Sequence, residues 1–150
     1  METENLTIQK SLAIQAPKEK VWDVLLQDRY TRLWYTAFCE GIYVETTWAE
    51  GSKALFLDPS NNGMLSTVVT HKPQEELTLL YEGLIANGRE DLESEEAQAM
   101  KGGREGYYLT PTHSGTQLSI EADLSPAYFE EMSAMWDKAL LKIKELAEAS

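Results

Sequence analysis

The side chains best equipped for chemistry in this sequence are two histidines, one cysteine, an Asp-Ser-Asn loop, a run of acids and a set of tryptophans and tyrosines. His71 falls at the end of a strand-like run and His113 in a turn. Neither has a carboxylate or serine at the spacing of a hydrolase triad, and Ser114 adjoins His113, where side chains rarely face each other. Asp58-x-Ser60-x-Asn62-Gly63 imitates the opening of a calcium loop, but Val69 stands where a bidentate acid is needed and strands flank the segment, so it reads as a turn. A single cysteine, Cys39, excludes an intramolecular disulfide framework and a multi-cysteine zinc site. With no histidine near it in sequence, it reads as a small buried or half-buried residue. No phosphate-cradling or dinucleotide-binding glycine motif occurs. These readings name no catalytic residue and imply no metal and no cofactor.

Two features remain. The segment Glu90-Asp91-Leu92-Glu93-Ser94-Glu95-Glu96 has the charge to dock a basic partner or a hard cation, although a solvated loop is the plainer reading. A loop of this length can also act as a lid over one mouth of a pocket. Trp34, Trp48, Tyr81, Tyr107 and Trp136 are large side chains with a polar tip, suited to lining a mainly apolar binding site. For any one of them, filling a core is the plainer reading.

Composition narrows the class. A chain of 150 residues, 43% hydrophobic and 25% charged, is built like one globular domain able to bury its own core. No run approaches the roughly 20 apolar residues of a membrane span, and the start, Met1-Glu2-Thr3-Glu4-Asn5, lacks the basic-then-apolar order of a signal peptide. Together with the lone cysteine, this points to the cytoplasm. A net charge of -12 repels phosphate backbones and argues against nucleic acid as a partner.

Hydropathy patterning supplies the elements that must position these residues. Leu6, Ile8, Leu12 and Ile14 alternate with polar residues as in a half-buried strand, and Lys10 interrupts that face, which places the strand near a sheet edge. A helix follows over Pro17–Gln27, with Pro17 as its first residue and Val21, Trp22, Val24 and Leu25 as its apolar stripe. Asp28 is the expected N-cap of a second short helix carrying Leu33 and Trp34. Short β-branched and aromatic runs separated by turn residues predict strands near Gly41–Thr47, Lys53–Leu57, Met64–His71 and Glu76–Leu84. Asn87 to Gly103 reads as a long loop with a helical turn around Ser94–Met100. A hairpin of Arg104–Thr110 and Thr116–Leu124 comes next. Ser125-Pro126 then starts the last helix, running to about Ala147, with Phe129, Met132, Trp136, Ala139, Ile143 and Leu146 on one face. This is an α+β order: a curved antiparallel sheet of about seven strands around one long C-terminal helix, with two short helices after the first strand.

Within that frame several segments carry a family resemblance. They are Ala16-Pro17-Lys18-Glu19-Lys20-Val21-Trp22-Asp23-Val24-Leu25, then Leu33-Trp34-Tyr35, then Trp48-Ala49-Glu50-Gly51-Ser52. Further on come Leu77 to Gly83, Gly115-Thr116-Gln117-Leu118 and Met135-Trp136-Asp137-Lys138-Ala139-Leu140. In this order they resemble the START-like or SRPBCC superfamily, the helix-grip fold of the birch-pollen allergen, and within it the branch named after the activator of the heat-shock-protein ATPase. The resemblance implies that Leu77, Leu79, Tyr81, Glu105, Tyr107 and Leu109 point inward, opposite the long helix. An inward Glu105 would have a raised pKa and could serve as acid, base or polar anchor. Its plainer alternative is a strand-start glutamate near solvent or paired with Arg89 or Arg104.

The resemblance spans lipid carriers, hormone receptors, polyketide cyclases and co-chaperone domains, so it implies a fold before a function. The leading expectation is a non-enzymatic domain enclosing a small hydrophobic or amphipathic molecule, with Trp34, Trp48, Leu79, Tyr81, Glu105, Tyr107, Met132 and Trp136 as candidate ligand contacts. A protein-interaction or chaperone-associated module with a protein partner is the second reading. A cyclase-like or hydrolase-like enzyme using Glu105 and a tyrosine is the third. From the missing ligand clusters and phosphate loops, calorimetric titration with zinc, calcium, ATP and NAD is expected to show no site tighter than about 10 µM, about 7 kcal/mol of binding free energy. Stoichiometric tight binding of any of the four would expose a site the motifs do not reveal.

Overall fold

The computed structural model describes residues 6–149, so the reading of Met1–Asn5 as a non-signal start lies outside the described residues. Strand β1 (Leu6–Ile14) leads into helices α1 (Lys18–Leu26) and α2 (Asp28–Trp34), and a tight helical turn over Tyr35–Ala37. Strands β2 (Tyr43–Glu45), β3 (Lys53–Leu57), β4 (Gly63–Lys72) and β5 (Glu76–Ala86) follow. Then come β6 (Arg89–Asp91), α3 (Glu95–Met100), β7 (Arg104–Thr112), β8 (Gly115–Leu124) and α4 (Phe129–Glu148). Every strand pairing is antiparallel, and seven strands run in the order β1-β8-β7-β5-β4-β3-β2, with β6 paired to β5 beside them. No helix among the described residues is long and apolar enough to cross a membrane.

β1 is the edge strand that Lys10 foretold. At an edge the inward position is shallow enough for the lysine stem to lie along the structure while its ammonium reaches Asp137 of α4, at 2.8 Å. The helix starts differ from the expected caps. Pro17 is in extended backbone just before α1, and its carbonyl accepts from Lys20 and Val21. Gln27, not Asp28, is the residue between the helices. Its N–H donates to the Asp23 carbonyl to close α1, while its own carbonyl accepts from Tyr30 and Thr31 to open α2. One extended residue thus ends one helix and begins the next, which shifts Asp28 into the first turn of α2, where it pairs with Arg32 four residues on. Ser125 likewise makes no side-chain cap: Pro126 opens a separate tight turn over Pro126–Tyr128, and α4 begins only at Phe129.

The segment expected to be a long loop is the largest departure. Asn87 and Gly88 both have positive φ, 52° and 79°, the backbone of a two-residue hairpin turn, and they fold the chain back as β6 against the end of β5. The Ser94 hydroxyl then accepts from the Ala97 amide and caps α3, with Glu95 and Glu96 in its first turn. β5 therefore has two partners on one side: β7 over Glu76–Leu80 and β6 over Leu84–Ala86. β2 is shorter than expected. Exposed Cys39 also corrects the expectation that it would be buried or half-buried.

Helix α4 grips the sheet unevenly. Ala139, Leu140, Ile143 and Ala147, toward its C-terminal end, are buried in the main core with Val21, Val24, Ile14 and Leu118. Toward its N-terminal end Phe129 and Met132 are only half-buried, and Leu146 is half-buried where Ala147 takes the inward place. The helix is wedged tight at one end and stands off the sheet at the other. Ile143→Ala is accordingly expected to cost about 2–5 kcal/mol, the range for a fully packed side chain, and Met132→Ala clearly less, because its site already borders open space. Urea denaturation of the two variants measures the gradient; equal losses would contradict it.

Candidate functional site

Glu105 lies on β7 opposite Leu79 of β5 and Ala122 of β8. Period-two alternation puts Tyr107, two residues on, on the same face, and Tyr81, two residues beyond Leu79, beside it. The Tyr81 hydroxyl donates to Glu105 Oε1 at 2.5 Å, and the Tyr107 hydroxyl donates to Oε2. An ionised carboxylate, which only accepts, can take a hydrogen bond from both phenols at once. Glu105 is 9% exposed, and among the described residues no lysine or arginine forms an ion pair with it. Its expected alternatives, a solvent-facing position or a pairing with Arg89 or Arg104, do not occur.

Burial pushes the Glu105 carboxyl above the usual glutamate range, against the pull of the hydrogen bonds from Tyr107 and Tyr81. Burial also drives the phenols of Tyr81, Tyr107 and Tyr35 well above the usual tyrosine value, and the nearby Glu105 charge adds to it. The tyrosines therefore stay neutral donors throughout the physiological range.

Around this cluster lies a cavity of about 650 Å³ between the inner face of the sheet and the N-terminal half of α4. Its aromatic wall is assembled from four elements. Trp34, at the end of α2, is fixed by donating Nε1–H to the Val24 carbonyl at 2.9 Å, and meets Tyr35 edge-on with ring centres 4.5 Å apart. Trp136 of α4 lies 6.0 Å from Tyr107, 6.3 Å from Trp34 and 5.0 Å from Phe38. Such offset and edge-on spacings add to the area buried. Met132, Phe56, Met64 and Leu84 add to the apolar lining, and α3 contributes Ala99 and Met100.

Of the eight residues singled out in the sequence, six border this cavity: Trp34, Tyr81, Glu105, Tyr107, Met132 and Trp136. Leu79 is fully buried in the core and does not border it. Trp48 sits elsewhere, half-buried at φ 63°, donating its indole N–H to the Leu26 carbonyl while its own carbonyl contacts His71 Nδ1. Because a carbonyl only accepts, that contact requires a proton on His71 Nδ1, and the His71 ring also packs on Trp22. The Asp58 carboxylate accepts from the Ser60 and Asn62 amides, engaged in holding its own turn. No group of three metal-ligating side chains comes together among the described residues.

Sequence reasoning missed Tyr35, Phe38, Phe56, Met64 and Leu84. For Leu84 the cause is a bulge. Leu65 pairs with Gly83 and Ser66 with Tyr81, leaving Glu82 without a partner. Simple alternation from Leu77, Leu79 and Tyr81 would turn Ile85 inward; the extra residue turns Leu84 inward instead and sends Ile85 to a separate small cluster with Leu57 and Leu65.

The mouth is acidic. Glu95, Glu96 and Glu131 are exposed on its rim, and none forms an ion pair among the described residues. Asp123 is there too, with one oxygen accepting from the Thr7 hydroxyl and the other from the Arg104 amide. The three glutamates lie in the first turns of α3 and α4, where the helix dipole stabilises them. Each helix start supplies about half a positive charge at most, so the full carboxylate charges set the sign of the rim.

The raised pKa has a definite consequence for stability. A carboxyl whose folded pKa lies above its unfolded value holds its proton more tightly when folded, so its contribution falls as pH rises from the usual glutamate range through the raised pKa, and then levels off. Glu105→Gln removes this loss while keeping a side chain that can hydrogen-bond the phenols. The stability difference, variant minus wild type, is expected to grow across that pH window, as read by urea denaturation at a series of pH values. A difference constant with pH would mean that Glu105 ionises in the folded protein as easily as in the unfolded one.

No family model matches the chain, and no curated protein matches it. Solved structures do. Protein MLL2253 from Mesorhizobium loti has a TM-score of 0.72 at 18% identity, over 94% of this chain and 96% of that one. Protein CV1439 from Chromobacterium violaceum has 0.71 at 19%, over 96% and 98%. The Aha1 dimer from Colwellia psychrerythraea has 0.73 at 16%, over 95% and 96%. Identities this low show the fold alone: over nearly its full length the chain shares the helix-grip architecture of these structures, the fold that its sequence resemblance implies.

Proposed function

We propose that the protein is a non-enzymatic binding domain, formed by the whole chain, that encloses a small hydrophobic or amphipathic molecule between the sheet and the N-terminal half of α4. The observation that carries this reading is the cavity itself: about 650 Å³, walled mainly by apolar and aromatic side chains, with one buried polar cluster at Glu105. Small-molecule sites are typically about 300–1,000 Å³, mostly apolar, with a few polar atoms that fix orientation. An interaction module working from its outer surface would have no use for such a space, and close packing would be expected to fill it. Met132 and Trp136 from the helix, Trp34 from α2, and Tyr81, Glu105 and Tyr107 from the sheet are the proposed contacts. The lone cysteine fits a reducing compartment, and we place the protein in the cytoplasm on that ground.

A screen of amphipathic compounds by intrinsic fluorescence and thermal unfolding tests the proposal. A true ligand is expected to change tryptophan emission saturably and to stabilise the fold by mass action, about 2.7 kcal/mol at a hundredfold excess over Kd. Trp136→Phe should reduce the emission change while keeping an apolar ring in place. Ala122 lies on β8 between Ile8 and Glu105 and borders the cavity, so Ala122→Phe should crowd the space beside Glu105 and weaken binding, with circular dichroism checking that the fold is kept. No saturable binding by any compound, or binding unchanged by Ala122→Phe, would overturn the proposal.

A further inference from the structure

Building on the cavity as a binding site, we infer that it selects cationic ligands: an amine carried on an apolar, preferably aromatic body, with its ammonium against Glu105. Three independent features of the site agree on the sign of the charge. First, Glu105 borders the cavity as a buried carboxylate with no cation paired to it, and the two phenols occupy one position on each of its oxygens. An ionised carboxylate offers about four acceptor positions, so about two remain for a ligand's N–H groups. Second, none of the side chains lining the cavity is lysine, arginine or histidine. An entering carboxylate would find no counter-charge and would sit beside Glu105, whereas an ammonium supplies the charge that the site lacks. Third, Trp34, Tyr35, Tyr107 and Trp136 all border the cavity, and an aromatic ring attracts a cation and repels an anion over its face.

The approach favours the same sign. Glu95, Glu96 and Glu131 ring the mouth, and the net charge of -12 draws cations from solution. The division of labour follows from burial: the exposed rim steers and is weakened by salt, while the pairing with Glu105 takes place out of water and is screened far less.

A matched series of naphthylmethylamine, naphthylmethanol and naphthoate, titrated calorimetrically into the full chain, separates charge from apolar fit. The amine is expected to bind about tenfold or more tighter than the alcohol, and the naphthoate weaker than either. Glu105→Gln should bring the amine down to the affinity of the alcohol and leave the alcohol nearly unchanged. At about 1 M salt, where the screening length is about 3 Å, the wild-type preference for amine over alcohol should persist. That measurement stands even where Glu105→Gln fails to fold. Alcohol or naphthoate binding as tightly as the amine, a folded Glu105→Gln that keeps the preference, or a preference that vanishes in high salt would each overturn the inference while leaving the cavity a binding site. Binding of none of the three would overturn the inference, and the wider screen of amphipathic compounds then decides whether the cavity is a binding site at all.

Discussion

A helix about 10 Å across cannot cover the inner face of a sheet seven strands wide, which at ordinary spacing spans about 30 Å. Everything else in this molecule answers that mismatch. α1 and α2 pack against α4, and α1 also touches β7 and β8, so the two helices cover part of the face that α4 leaves. The buried small residues Ala139 and Ala147 let the last turns of α4 approach closely, while Met132 and Phe129 near its start are longer and half-buried. The face is covered at one end and left open at the other, and the cavity is the part of the mismatch that no side chain fills.

Placing a carboxylate in that space works against burial, since removing a charge from water is costly unless hydrogen bonds replace what water supplied. Two phenols do so for Glu105, and their own placement depends on the sheet. Tyr107 is there by strand alternation, and Tyr81 is there because β5 continues past its last pairing with β7. Beyond that point the Tyr81 backbone is satisfied by Gly102 and Gly103 at the end of the α3 excursion: its N–H donates to the Gly103 carbonyl, and its carbonyl accepts from Gly102. The β6–α3 segment thus takes over part of the edge that β7 leaves, and its first-turn acids form one side of the mouth. Removing that segment would expose a backbone edge and open the polar cluster to solvent at the same time.

Much of this was legible in the sequence, and what was not has identifiable physical causes. Strand alternation placed β1, β3, β4, β5, β7 and β8 almost to the residue, and Lys10 located the sheet edge. Two errors came from helix starts, where Asp28 and Ser125 have the right chemistry for caps but the chain spends a different residue, Gln27, or an additional tight turn on the change of direction. Another came from Asn87-Gly88, a dipeptide that favours a hairpin because both residues tolerate positive φ; the acidic run after it suggested solvent instead. Of the residues bordering the cavity, Trp34, Tyr81, Glu105, Tyr107, Met132 and Trp136 were singled out in the sequence, but Leu84 was hidden by one bulged residue and Tyr35 and Phe38 by a turn with no periodic signature. Trp48 shows the opposite failure: size and amphipathic character suited it to the cavity, yet a left-handed turn holds it outside.

The boundary between fold and function runs through these same residues. Solved structures sharing 16–19% of their residues with this chain follow its backbone over nearly their full length, so the same sheet and gripping helix form on chains that share fewer than one residue in five with it. That architecture fixes where a cavity will be, because the mismatch between one helix and a wide sheet belongs to it. It does not fix what the cavity accepts. That depends on whether the strand positions at 81, 105 and 107 carry a charge and its donors or three apolar side chains, and either set satisfies the alternation equally well. For the proposed binding role, the chemistry of a ligand is therefore set by the few inward positions where this chain departs from an apolar lining, and Glu105 is the one buried acid among them.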